Sequence, residues 1–123
     1  NVNYIHLADS RKKFRPSTYV EPMYFKVPEN ISSFTVFIHV PDTSTKGRIR
    51  IYDSVDNLIL EKHDYFNQAT ALPINVLEGS RGEIWRLELD AGPGSSGVPS
   101  TVLYFSNNMP PYLANHPKRL LGL

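Results

Sequence analysis

From residue 2 to residue 105, apolar and polar side chains alternate in short runs, each cut off by proline, glycine or an Asp/Asn/Ser turn. A strand sends successive side chains to opposite faces, so strict alternation marks a strand with one buried side; a helical face repeats every 3.6 residues instead. The clearest run is Phe34 to Val40, ended by Pro41. Val2–Leu7, Met23–Val27 between Pro22 and Pro28, Arg48–Asp53, Leu58–Lys62, Ala71–Leu77, Ile84–Asp90 and Thr101–Phe105 read as strands too. Ser54–Asn57 is a tight turn that makes a hairpin of its two neighbours. Pro73 assigns its strand to an edge or a bulge. Asp9–Ser17, Thr43–Gly47 and Ala91–Pro99 read as turns and loops. About eight short strands at near-regular spacing predict an all-β fold, an antiparallel, jelly-roll-like β-sandwich. A short C-terminal tail follows, in which Asn115 caps one helical turn, Pro117 stands near its start, and Leu120 and Leu121 pack on the body.

The chain has 123 residues, which suits one domain over 1–123 and can bury a core without staples. It has no cysteine, which excludes disulfides, CxxC zinc sites and cysteine nucleophiles. Thirteen basic and twelve acidic side chains leave a formal charge of +1, so neither nucleic acid nor a membrane is an expected partner. A monomer is expected. No apolar run approaches the roughly 18 residues that span a bilayer. Asn1–Ser10 has neither a basic n-region nor an apolar h-region, and the chain is expected to be a mature product or a domain of a longer protein.

The alternation assigns faces. Met23, Phe25 and Val27 go inward, as do Phe34, Val36, Ile38 and Val40, Ile49 and Ile51, and Trp85, Leu87 and Leu89. Trp85 could be a sugar-stacking platform, but its phase with Leu87 and Leu89 favours the core. Tyr65 and Phe66 fall in a loop and either plug the end of the sandwich or bind a ligand. Tyr24, Lys26, Thr35, Phe37, His39, Arg48, Arg50, Tyr52, Arg86 and Glu88 go outward. If their strands share a sheet, aromatic rings and hydrogen-bonding cations lie together. Rings cover the C–H face of a pyranose, and an Arg fork holds a carboxylate. The ligand-binding candidates are Tyr24, Phe37, His39, Arg48, Arg50, Tyr52 and Arg86, suited to an acidic or mixed polysaccharide. Cross-strand pairing of Arg50 or Arg86 with Glu88 accounts for the same charges without a ligand.

Asp53-Ser54-Val55-Asp56-Asn57 offers oxygens at short spacing, but lacks the EF-hand pattern and reads more simply as an Asp/Asn turn. No cofactor is expected, structural calcium from scattered loop oxygens being the alternative left open. His6, His39, His63 and His116 show no HxH or HExxH spacing. His63-Asp64 has no nucleophile elbow to serve, since Gly94-Ser95-Ser96-Gly97 has the wrong spacing. Glu83 and Glu88, five apart, cannot share a strand face as a carboxylate pair. The chain is therefore expected not to be an enzyme. The run Arg11-Lys12-Lys13-Phe14-Arg15 reads as a solvated loop or an anion-binding patch, and Asn30-Ile31-Ser32 is a glycosylation sequon if the source is eukaryotic.

Three motifs carry a resemblance: Pro22-Met23-Tyr24-Phe25-Lys26-Val27-Pro28 followed by Phe34, Gly82-Glu83-Ile84-Trp85-Arg86-Leu87, and Met109-Pro110-Pro111-Tyr112-Leu113-Ala114. Together, over roughly residues 20–121, they resemble the β-sandwich accessory domains that accompany catalytic domains in large bacterial polysaccharide-degrading enzymes. The resemblance implies a secreted, non-catalytic sandwich that often binds sugar. It carries no residue-level site. The expected function is a carbohydrate-binding module that targets an attached glycoside hydrolase or lyase to a plant or algal polysaccharide. The alternative is a structural sandwich packed on the parent enzyme's catalytic domain, with no ligand of its own.

Overall fold

The computed structural model describes residues 4–6, 12–14, 22–94, 99–110 and 112–114. Ten strands follow in chain order: β1 (Tyr4–His6), β2 (Lys12–Phe14), β3 (Met23–Lys26), β4 (Ser33–His39), β5 (Gly47–Tyr52), β6 (Leu58–Asp64), β7 (Thr70–Asn75), β8 (Ile84–Asp90), β9 (Thr101–Phe105) and β10 (Tyr112–Ala114). One 3-10 turn, Glu78–Ser80, precedes β8. All pairings are antiparallel, in a six-stranded sheet ordered β1-β10-β3-β8-β5-β6 and a four-stranded sheet ordered β2-β9-β4-β7.

Four of these pairings are nested: β1 with β10, β2 with β9, β3 with β8, and β4 with β7. Such nesting, with successive pairs falling alternately in the two sheets, is the wrapping of a jelly roll. The β5–β6 hairpin lies between β4 and β7 in sequence and extends the six-stranded sheet, β5 pairing along β8. The fold is thus the expected antiparallel sandwich, with eight strands in the jelly roll and two in the added hairpin.

The strand count differs from the sequence expectation in two places. β2 falls inside Asp9–Ser17, which reads as a loop, and β10 falls on Pro111-Tyr112-Leu113-Ala114, which reads as a tail. Each is only three residues long, too short to display an alternation of its own. Both are strands because β9, β1 and β3 supply partners. The expected helical turn after Asn115 and the Gly94–Gly97 segment beyond Gly94 lie outside the described residues.

The alternation of β4, β5 and β8 appears as alternating burial. Between the sheets four aromatic side chains interlock: Phe25 and Trp85 from one, Phe34 and Phe105 from the other, with centroids 5.1–6.2 Å apart. Edge-to-face contacts such as Phe25–Phe34 set the positive rim of one ring on the negative face of the next. Trp85 is 1% exposed, so the structure takes it as core. Its indole N–H donates to the Ser80 carbonyl at 3.1 Å, which satisfies the polar atom that burial would otherwise strand.

Candidate functional site

The seven candidate residues divide between two outer faces. Tyr24, Arg48, Arg50, Tyr52 and Arg86 stand on the outer side of the six-stranded sheet, where Tyr24 opposes Arg86 and Arg86 opposes Tyr52. Phe37 and His39 stand on β4, on the outer side of the four-stranded sheet. The strands do not all share a sheet, and the core separates Phe37 and His39 from the other five. The two clusters are therefore distinct candidates.

The six-stranded face is an ion-pair ladder. Arg48 grips Asp90 through two hydrogen bonds of 2.8 Å, and Arg50 reaches Asp90 and Glu88 at 3.2 Å each. Arg86 pairs with Asp56 at 2.6 Å, lies 3.1 Å from Glu88, and covers the Tyr52 ring at 4.1 Å. Glu61 on β6 stands 3.8 Å from Arg48. The local cause is register: β5 places Arg48 and Arg50 opposite Asp90 and Glu88 of β8, and opposite-charge neighbours across antiparallel strands attract.

Asp90 is the hub, its side chain only 4% exposed. It also accepts the Gly92 backbone N–H at 2.8 Å. Burial pushes its carboxyl upward, but the hydrogen bond from Arg48, the Gly92 amide and the charges of Arg48 and Arg50 outweigh it and hold the pKa below the ordinary range. The Nε atoms of Arg50 and Arg86 lack a well-aligned acceptor, yet both are covered by neighbouring atoms and closed to a ligand. The guanidinium groups proposed as ligand forks are thus engaged internally, and one face of Tyr52 is roofed by Arg86. Chemically, this surface can hold two strands in register.

The four-stranded face has a different make-up. Phe37 of β4 and Tyr104 of β9 are directly opposed, and their rings stack at 4.7 Å with an interplanar angle of 9°. That separation matches the spacing of neighbouring strands, so the rings stand side by side across the sheet and Tyr104 backs one face of Phe37. On the other side of Phe37 the opposed residue is Ala71 of β7, exposed and too short to cover a ring. Thr35 opposes the exposed Pro73, and Asn75 and His39 lie near the two ends of the same face. This arrangement can take a flat apolar surface against the ring and hydrogen bonds around it. Tyr104 was not among the sequence candidates, though the inward phase of Thr101, Leu103 and Phe105 already sends it outward.

The remaining sequence candidates resolve singly. Phe66 is buried and plugs the end of the core, whereas its neighbour Tyr65 is exposed with Lys46 over its ring at 5.3 Å. The Asp53 carboxylate accepts N–H groups from Val55 at 3.0 Å, Asn57 at 2.9 Å and the Asn57 side chain at 3.0 Å. Those oxygens organise a turn, with Asp56 at φ 65° closing it. No three His, Asp or Glu side chains among the described residues group so as to hold a metal ion. His63 is exposed and its ring lies against Gly92. Of the basic run, Lys12 to Phe14 forms β2 and the flanking arginines lie outside the described residues. No helix among the described residues is long and apolar enough to cross a membrane.

No family model matches the chain, and no curated protein or solved structure matches it.

Proposed function

We propose that this chain is a secreted, non-catalytic carbohydrate-binding module that targets an attached glycoside hydrolase or lyase to a plant or algal polysaccharide. The observation that carries the reading is the Phe37–Tyr104 stack on the outer face of the four-stranded sheet, open on the Ala71 side and bordered by Thr35, His39 and Asn75. A pyranose presents apolar C–H groups on one face and hydroxyls around its rim, and a ring beside hydroxyl, amide and imidazole groups answers both. Binding at so shallow a surface is weak, and its use lies in tethering: held near an insoluble polymer, the linked enzyme sees a raised effective substrate concentration.

Affinity electrophoresis against a panel of soluble polysaccharides tests this reading. Retardation on at least one glycan is expected, with apparent affinity lowered about tenfold in Phe37→Ala, the equivalent of ~1.4 kcal/mol. Absence of retardation on every glycan would sink it.

A second reading has its own observation. Val55 and Leu58, 73% and 51% exposed, project with Ile59 from the β5–β6 hairpin. Exposed apolar side chains along a hairpin suit a sandwich packed on a neighbouring catalytic domain. That reading expects Leu58→Ser to weaken association with the parent's catalytic domain and to leave glycan retardation unchanged.

A further inference from the structure

We infer that the ligand class of the Phe37–Tyr104 face is an uncharged glycan rather than a uronate or sulfated polymer. This rests on the carbohydrate-binding reading above.

Two observations point there. The first is the state of the cations that an acidic polymer would need. Arg48, Arg50 and Arg86 face Asp56, Glu61, Glu88 and Asp90 at 2.6–3.8 Å, so these three guanidinium groups are already matched by carboxylates. An incoming carboxylate would have to displace a bidentate partner from Arg48, already in the geometry a guanidinium prefers, and meet the displaced carboxylate as a like charge. The second is the composition of the opposite face. Among the residues whose side chains are described there, β4, β7 and β9 turn outward no Asp, Glu, Lys or Arg between them. His39 sits beyond the aromatic pair, opposite Val102, and β2, which carries Lys12 and Lys13, is the far edge of the sheet, two strands from Phe37.

An anion brought against the β4–β7 side of Phe37 would lose water without gaining a counter-charge from the described side chains there, a cost that grows with each charged sugar in the contact. A neutral pyranose loses only weakly held water from its C–H face and keeps its hydroxyls paired with Thr35, Asn75 or solvent. The open side of Phe37, over Ala71 and Pro73, accepts a flat unbranched stretch of chain. A bulky or charged side chain at position 71 would close it.

The test compares retardation of the domain on gels containing a neutral β-glucan or xylan with gels containing polygalacturonate or alginate, at about 0.05 and 0.5 M NaCl, a range over which exposed charge–charge attraction is largely screened. The expected result is retardation on a neutral gel that changes less than about twofold with salt. Ala71→Arg, at an exposed position that leaves the core alone, should reduce it about tenfold or more, the thermal melt staying that of the parent. Phe37→Ala is the second variant and should do the same. Retardation confined to acidic gels and lost at high salt overturns the inference while leaving carbohydrate binding intact. Neutral-gel retardation indifferent to both variants overturns the placement of the ligand on this face. No retardation on any gel overturns both this inference and the function it rests on.

Discussion

Asp53 and Asp90 hold the molecule at two places where backbone direction changes, and both do so as anions. Asp53 is buried at the β5–β6 turn, and its carboxylate satisfies the Val55 and Asn57 amides. Asp53→Ala is expected to cost about 1–2 kcal/mol, read as a lower urea midpoint. Burial raises the Asp53 pKa, but the bonds from Asn57 and Val55 outweigh that and leave it below 3.8. Asp90 is depressed in the same sense. A carboxylate whose folded pKa lies below its unfolded value contributes stability that is complete above the unfolded pKa and is lost as pH falls through the folded one. Stability is therefore expected to be level down to about pH 5 and to drop between about pH 4 and pH 2. Asp90→Asn should cost about 2–3 kcal/mol at pH 7, the Arg48 partner being partly hydrated, and should show a shallower acid loss. Urea denaturation from pH 2 to 7 distinguishes the outcomes; an equal acid loss in the variant would remove Asp90 from the explanation.

Among the elements, β8 and β6 are opposites. β8 lies between β3 and β5 and buries Trp85, Leu87 and Leu89. β6 is the sheet's edge, with six of its seven residues exposed and only Leu60 leaning on the core. Leu87→Ala is expected to cost about 2–5 kcal/mol and Leu60→Ala about 1 kcal/mol, measured by chemical denaturation. Amide exchange should follow the same order, with β6 exchanging through local opening and β8 only through global unfolding. The edge carries Glu61, Lys62, His63 and Asp64, and charge along an edge discourages pairing with other chains. The turn into β8 needs Gly82, whose φ of 73° suits residues without a Cβ and whose added Cβ would meet Glu29 Cγ at 2.5 Å. Glu29 is exposed and can swing away, but the backbone strain stays, so Gly82→Ala is expected to lower stability by about 1 kcal/mol.

At the scale of the whole molecule, the two sheets share one core, because Phe25 and Trp85 touch Phe34 and Phe105 across the interface. Neither sheet can keep its inner face dry alone, so unfolding should be a single cooperative event. Trp85, the sole tryptophan, sits in that interface and reports on it. Its fluorescence and the far-UV circular dichroism should change at the same denaturant concentration; a separation of the two transitions would mean that the sheets unfold independently. The nested pairing joins strands as remote in sequence as β1 and β10, and such long closures make folding slow for the chain's size.

Period-two alternation alone determined which side of β4, β5 and β8 is dry, the core role of Trp85, and the all-β sandwich itself. These follow from local geometry, since a strand's own residues decide its two faces. What the alternation does not contain is which strand neighbours which. β2 and β10 became visible only through their partners, and Phe37 parted from Tyr24 because β4 and β3 belong to different sheets. The same non-local pairing turned three outward arginines into partners of Glu88 and Asp90, and set Tyr104 against Phe37. Side-chain direction is a property of each strand, but a surface is made by strands far apart in sequence, and only the closing of the sandwich around its core brings them together.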